Sequence, residues 1–294
     1  MRHAILGAGA VGGLIGTLLA KLGNAVQIIV QPEKAQTHPR ELTLENGSGT
    51  LSVPVDVIAQ LDQPVDVLWV TVKALQLEAA LGSIKTEGQI GAVVPLLNGI
   101  DHIDLLRNRF GDDLVIPATI AVEAALTAPG KVIQRSPFVR MNLSGRGRER
   151  LTTTAQQLND AGVECKFVDN EETLMWSKLV FLAPFALCTA AEDVPIGEIV
   201  SNPIRWSVLT AAVRETCVVA AARGALVNPD LVIATIKSLP PTMRSSMQND
   251  LNKGKTPELQ AIVGPILRGA ESAGANVNVI RMLEGTVRAK AEQT

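Results

Sequence analysis

Gly7-Ala8-Gly9-Ala10-Val11-Gly12 is the first stretch whose spacing carries chemistry. In a GxGxxG loop the first glycine permits a tight turn, the second lets the backbone approach a pyrophosphate, and the third lets helix and strand pack closely. Arg2 to Leu6 reads as the preceding strand. An apolar helix then runs to Leu22 and stops at Gly23, and Ala25 to Val30 is the next strand. This βαβ context points to a dinucleotide, because the free N–H groups of the helix N-terminus meet the anion. The plainer alternative is a glycine-rich turn with no ligand.

Lys178 is the second group. Its helical neighbours three and four residues away are Leu174, Met175, Phe181 and Leu182, none of which pairs with a charge. Such a lysine either snorkels to solvent or takes a partner from another element. Withdrawal from water also lowers its pKa toward a value useful for proton transfer. The residues alone leave both readings open. Glu258 has a plain reading as an acid in the first turn of a helix, favoured by the dipole, with Thr256 as N-cap.

These groups need elements to position them. Asp66–Val72 reads as a buried parallel strand ending at Lys73, Ala92–Leu97 as another ending at Asn98-Gly99, and Leu114–Thr119 as a third. Ligands of open α/β sheets bind outside the carboxyl ends of the strands, where the glycine loop, Lys73 and Asn98 all fall. Taken singly, Lys73 is a loop lysine and Asn98 a turn residue. Leu42–Leu44 and Leu51–Val55 flank Asn46-Gly47-Ser48-Gly49, which predicts a hairpin. The second half reads as helical. A long run follows Asp169, and Asn202-Pro203 caps and opens a helix ending at Gly224. Pro229–Leu239 suggests another, and a further one opens at Thr256-Pro257-Glu258, bends at Gly264-Pro265 and ends near Gly274. The expected fold class is α/β, a Rossmann-like N-terminal domain followed by an all-helical C-terminal domain, over residues 1–168 and 169–294.

Composition narrows the function. The chain has 294 residues, 47% of them apolar, enough for two packed domains. Net charge is −2, so no basic surplus points to nucleic acid or to an anionic membrane. Aromatic residues make up 3%, which argues against base-stacking platforms. Cys165, Cys188 and Cys217 form no CxxC, and His3, His38 and His102 lack metal-ligand spacing, so no metal is expected. Glycines interrupt the apolar N-terminus, unlike a secretory leader, and the apolar run Leu179–Ala191 is too short to span a bilayer. The expectation is a cytoplasmic protein with reduced, buried cysteines.

The chain resembles the ketopantoate reductase (2-dehydropantoate 2-reductase) family nearly end to end. The likeness rests on the GxGxxG, Thr71-Val72-Lys73, Leu97-Asn98-Gly99, Ala128-Pro129-Gly130, Trp176-Ser177-Lys178-Leu179, Ser245-Ser246-Met247-Gln248-Asn249-Asp250 and Thr256-Pro257-Glu258. The resemblance implies NADPH-dependent reduction of a 2-keto acid, by default 2-dehydropantoate to pantoate in pantothenate biosynthesis. It implies that Lys178 is the general acid and stabilises the developing alkoxide. Asn98 would touch cofactor and substrate, Lys73 the cofactor, Ser246 the substrate carboxylate, and Glu258 the cofactor ribose or a substrate hydroxyl. An Ala/Val-rich helical domain could also bury a homodimer face.

Three departures stand out. The family's asparagines four and eight residues after the lysine are Leu182 and Ala186 here. The arginine that meets the 2′-phosphate is Gln31, with Lys34 as its substitute and Glu33 where an NAD-type acid would lie. Gln260 and Val263-Gly264 replace an aspartate and an Asn-Gly pair. The alternatives are therefore a paralogue reducing a less polar keto acid or ketone, or a weakly catalytic NADP-binding protein.

Overall fold

The computed structural model describes residues 1–293. It divides into two compact units, residues 1–97 with 102–171, and residues 98–101 with 172–294.

The first unit runs β1 (Arg2–Leu6), α1 (Ala10–Lys21), β2 (Ala25–Ile29), α2 (Pro32–Ala35), β3 (Glu41–Asn46), β4 (Gly49–Pro54), β5 (Asp56–Ile58) and β6 (Val65–Val70). It continues through α3 (Leu77–Leu81), β7 (Ile90–Pro95), α4 (His102–Phe110), β8 (Ala118–Ala121), β9 (Ala124–Ala128), β10 (Lys131–Gln134), β11 (Val139–Ser144), α5 (Arg148–Asp160) and β12 (Val163–Val168). Five parallel strands form one sheet in the order β5-β2-β1-β6-β7. Both faces are covered, so β1, β6 and β7 are buried almost throughout, as in a doubly covered parallel sheet. The hairpin forms as expected, with Asn46 facing Gly49. It joins a second sheet, β4-β3-β10-β9.

That second sheet explains two glycines outside the GxGxxG. A Cβ on Gly13 would lie 2.6 Å from Val132 of β10, and one on Gly16 would lie 3.0 Å from Leu42 of β3. The helix α1 is buried nearly all round because it packs against β2 and against β3 and β10. The strand expected over Leu114–Thr119 is corrected. Only Leu114–Ile116 lies along β7, through Val93 N–H to Leu114 O and Ile116 N–H to Val93 O. Pro117 has no N–H to continue that ladder, and Ala118 starts β8 in a third sheet, β12-β11-β8.

The second unit is helical: α6 (Glu171–Glu192, its first residue in the first unit), α7 (Ile196–Ser201), α8 (Pro203–Ala222), α9 (Pro229–Lys237), α10 (Ser246–Leu251), α11 (Leu259–Ala273) and α12 (Asn278–Glu292). By length and composition α6 is apolar enough to cross a membrane, but most of its apolar window is buried within the protein as a core helix. Its Trp176, Leu179, Val180 and Ala183 pack in one cluster with Leu209 and Val213 of α8 and Ile262 and Ile266 of α11. Asn202 caps α8 by accepting from Ile204 N–H at 3.0 Å and Arg205 N–H at 3.1 Å, as its sequence position predicts. The expected cap of α11 is corrected. The helix begins at Leu259, so Glu258 and not Thr256 holds the N-cap position. The three cysteines are free and buried, and burial pushes the Cys188 thiol up to about 12.

Candidate active site

In the first unit the structure brings the glycine loop, Gln31 and Lys73 to the carboxyl ends of three adjacent strands, β1, β2 and β6. Gly7 has φ +111°, a region that L side chains rarely adopt, and a Cβ there would meet Val72 at 2.8 Å. Gly12 packs closer still, since its Cβ would stand 2.1 Å from Gly7 O. Gly9 is different. It is the N-cap of α1, and a Cβ there would meet nothing within 4 Å. The first intrahelical bond runs from Gly13 N–H to Gly9 O at 2.8 Å, so the amides of Ala10, Val11 and Gly12 precede the ladder. A loop with an open second glycine at a helix N-terminus fits an extended diphosphate.

Thr71 is a residue the sequence reading quoted without giving it a role. Its hydroxyl donates to Leu6 O at 3.1 Å and Gly7 O at 2.9 Å, which ties the end of β6 to the glycine turn. A hydroxyl residue one step past a central strand, beside the strand that feeds the loop, was the available signal. Lys73 is exposed ahead of a single 3-10 turn at Ala74–Gln76, and Gln31 and Lys34 are exposed around the short α2.

The second unit holds the other chemistry. Lys178 is partly buried on α6, between the buried Leu174 and Met175 and the partly buried Phe181 and Leu182. Withdrawal from water lowers its pKa to about 8, and the Glu258 carboxylate opposes that shift. Asn98 Nδ2 donates to Glu258 Oε2 at 3.0 Å. Thus Lys178, Glu258 and Asn98, which are far apart in sequence, share one electrostatic neighbourhood. The Asn98 loop is held by Gly99, whose φ is +80° and whose Cβ would stand 2.1 Å from Ala261 O. Asp101 pairs with Arg268. An ammonium whose pKa is lowered to about 8 beside a carboxylate–amide pair can deliver a proton to a developing alkoxide.

Ser246 is exposed on the first residue of α10. Its neighbour Ser245 is the buried one: it accepts from Gln248 N–H at 3.1 Å and shares a hydrogen bond with Thr189 of α6 at 2.8 Å. Leu182 is partly buried, whereas Ala186 is wholly buried and faces packed protein. Ala186→Asn should therefore cost stability, on the order of 1–3 kcal/mol in a denaturant titration, as overpacking of a filled core does.

The model of the ketopantoate reductase PanE/ApbA family matches residues 3–145, and that of its C-terminal domain matches residues 170–291. The chain belongs to the ketopantoate reductase PanE/ApbA family. It is accordingly an oxidoreductase acting on CH–OH groups. A 2-dehydropantoate 2-reductase of Archaeoglobus fulgidus is 28% identical, over 98% of this chain and 97% of that protein. A PanE/ApbA family ketopantoate reductase from Ralstonia eutropha has a solved structure with TM-score 0.88 at 26% identity, covering 100% of this chain and 99% of that one. A structure of D-mandelate dehydrogenase with NADH and anilino(oxo)acetate reaches TM-score 0.89 at 25% identity, with the same coverage. The family's Rossmann-like and helical architecture is the one described above.

Proposed function

We propose that this chain is an NADPH-dependent 2-keto acid reductase, with 2-dehydropantoate, the substrate of pantothenate biosynthesis, as its reference substrate. The observation that carries the reading is Lys178, a lysine with its pKa lowered to about 8 beside the Glu258–Asn98 pair. Residues 1–168 act as the NAD(P)-binding domain and residues 169–294 as the substrate domain.

In this reading Gly7, Ala8, Gly9, Ala10, Val11 and Gly12 hold the pyrophosphate, Lys73 contacts the cofactor, and Gln31 and Lys34 meet its ribose phosphate. When bound, the reduced nicotinamide supplies the hydride that reaches the keto carbon. Lys178 Nζ gives its proton to the keto oxygen and its charge offsets the growing alkoxide. Glu258 favours the protonated form of Lys178, and Asn98 orients the Glu258 carboxylate through their hydrogen bond. Ser246 takes the substrate carboxylate. Exposed Ile204, Leu226 and Leu231 in the helical unit support a homodimer face. A cytoplasmic site of action goes with this reading.

Spectrophotometric reduction of 2-dehydropantoate with NADPH tests the reading, with Lys178→Ala as the paired variant. No oxidation of NADPH by any 2-keto acid would overturn it. Cofactor choice follows from the same residues. Gln31 carries no charge, so of the two Lys34 alone brings a positive charge to the 2′-phosphate. NADPH is expected to bind only about tenfold more tightly than NADH, equivalent to about 1.4 kcal/mol. Lys34→Glu should erase that difference in paired fluorescence titrations. A strong NADH preference in the unmutated protein would assign the ribose to Glu33 instead.

A further inference from the structure

Asp193 stands one residue past the end of α6 and has a left-handed backbone, with φ +53°. Among the described residues it is the one non-glycine residue with a positive φ. Glycine is the ordinary occupant of that position after a helix, because it has no Cβ to strain. An aspartate takes the same backbone less readily, so the reason for it lies in its side chain. Asp193 Oδ1 accepts from Gln248 Nε2 at 2.8 Å, from Asn252 Nδ2 at 3.0 Å and from Arg244 Nη1 at 3.4 Å. These donors recur every fourth residue, one before α10, one within it and one after it. A single carboxylate oxygen thus grips α10 along its whole length.

The grip matters because α10 has only 6 residues, too few for a helix to hold its own place. One residue of a helix is about 100° of turn, so a small rotation would exchange the directions of Ser245 and Ser246. In the structure Ser245 is buried against Thr189, and Ser246 is exposed. The Thr189 bond pins the start of α10 at one point, and Ile196 N–H adds a bond to Met243 O at 3.0 Å just before it. The bonds to Asp193 act further along and fix the rotation about that point. We propose that Asp193 is a positioning residue for substrate binding, which sets the rotation of α10 and so aims the Ser246 hydroxyl at the substrate carboxylate. The inference rests on the reading of Ser246 as the group that takes that carboxylate.

Steady-state kinetics with NADPH test it, using 2-dehydropantoate or the 2-keto acid that the protein reduces best. Asp193→Gly removes the carboxylate and suits the left-handed backbone. It should raise KM for the keto acid about tenfold, as loss of a hydrogen bond to a charged group does, and leave kcat within about twofold. Asp193→Asn keeps Oδ1 as an acceptor and should bring KM back to within about threefold of the unmutated value. Ser246→Ala should raise KM by a similar factor to Asp193→Gly. Adding Asp193→Gly to Ser246→Ala should raise it no further, because the one residue acts through the other. The fall of turnover with pH should stay in place in Asp193→Gly, since Glu258 keeps its bond from Asn98. If Asp193→Gly does not fold, Gln248→Met takes its place in the cycle, removing the shortest of the three bonds at nearly the same volume. A KM that rises in Ser246→Ala but not in Asp193→Gly overturns the proposal and leaves the Ser246 reading standing. So does an equal rise from Asp193→Gly on both backgrounds. An unchanged KM in Ser246→Ala, or no reduction of any 2-keto acid, removes the reading and the proposal together.

Discussion

Lys178→Ala is expected to lower kcat by ~100-fold or more, the range for loss of a general acid. NADPH affinity should change little, because Lys178 and the glycine loop belong to different units. The pH profile sharpens the test. The lysine must be protonated to donate, and burial brings its pKa down to about 8, so turnover should fall as pH rises past that value. Glu258 holds the pKa up, so Glu258→Gln should move the fall to lower pH. Stability responds with the opposite sign. The folded pKa of about 8 lies below the ordinary 10.5, so between these values the unfolded chain binds more protons. Stability should therefore rise with pH across that window, and Lys178→Ala should remove the rise. A lysine that merely reached solvent would give near-normal turnover in the alanine variant, and that result would overturn the assignment.

The second large effect concerns the glycine loop. Gly9→Asp should abolish NADPH binding in a fluorescence titration by setting a carboxylate at the proposed pyrophosphate site. It should do so in a protein that still folds, because a Cβ at this position meets nothing within 4 Å. Gly12→Ala is the contrast. Its Cβ would stand 2.1 Å from the carbonyl of Gly7, a backbone atom that cannot swing aside, so this variant should lose stability along with binding. Retention of NADPH affinity by Gly9→Asp would remove the loop from the cofactor site.

Much of the first unit is legible in the chain because its signals are local. Arg2–Leu6, the glycine loop and Ala25–Ile29 follow one another without interruption, and each announces the next. The cap at Asn202 was equally local. The failures were not. Leu114–Thr119 has the composition of a buried strand, but which sheet takes it depends on Pro117 and on the distant strands β11 and β12. Nothing in the sequence near Gly13 or Gly16 tells that a second sheet presses on α1. At the site, the apolar surroundings of Lys178 could be read from helical spacing alone. The Asn98–Glu258 bond could not, since 160 residues separate its partners. The exposed Ser246 beside a buried Ser245 was also illegible, because adjacent serines look alike until the helix start is fixed.

The assignment of residues 98–101 to the helical unit bears on how such a chain can be rearranged in evolution. The polypeptide passes from one unit to the other at three joins, after residues 97, 101 and 171. A recombination event at the last join alone would pair an Asn98–Asp101 loop from one parent with an α11 from the other. Gly99 must then fit a foreign backbone at Ala261, Asp101 must find an arginine at position 268, and Asn98 must meet a carboxylate at position 258. Domain shuffling in this lineage should therefore be rarer than the two-unit architecture suggests. Viable chimaeras should be those that inherit the four-residue loop together with the helical unit it serves.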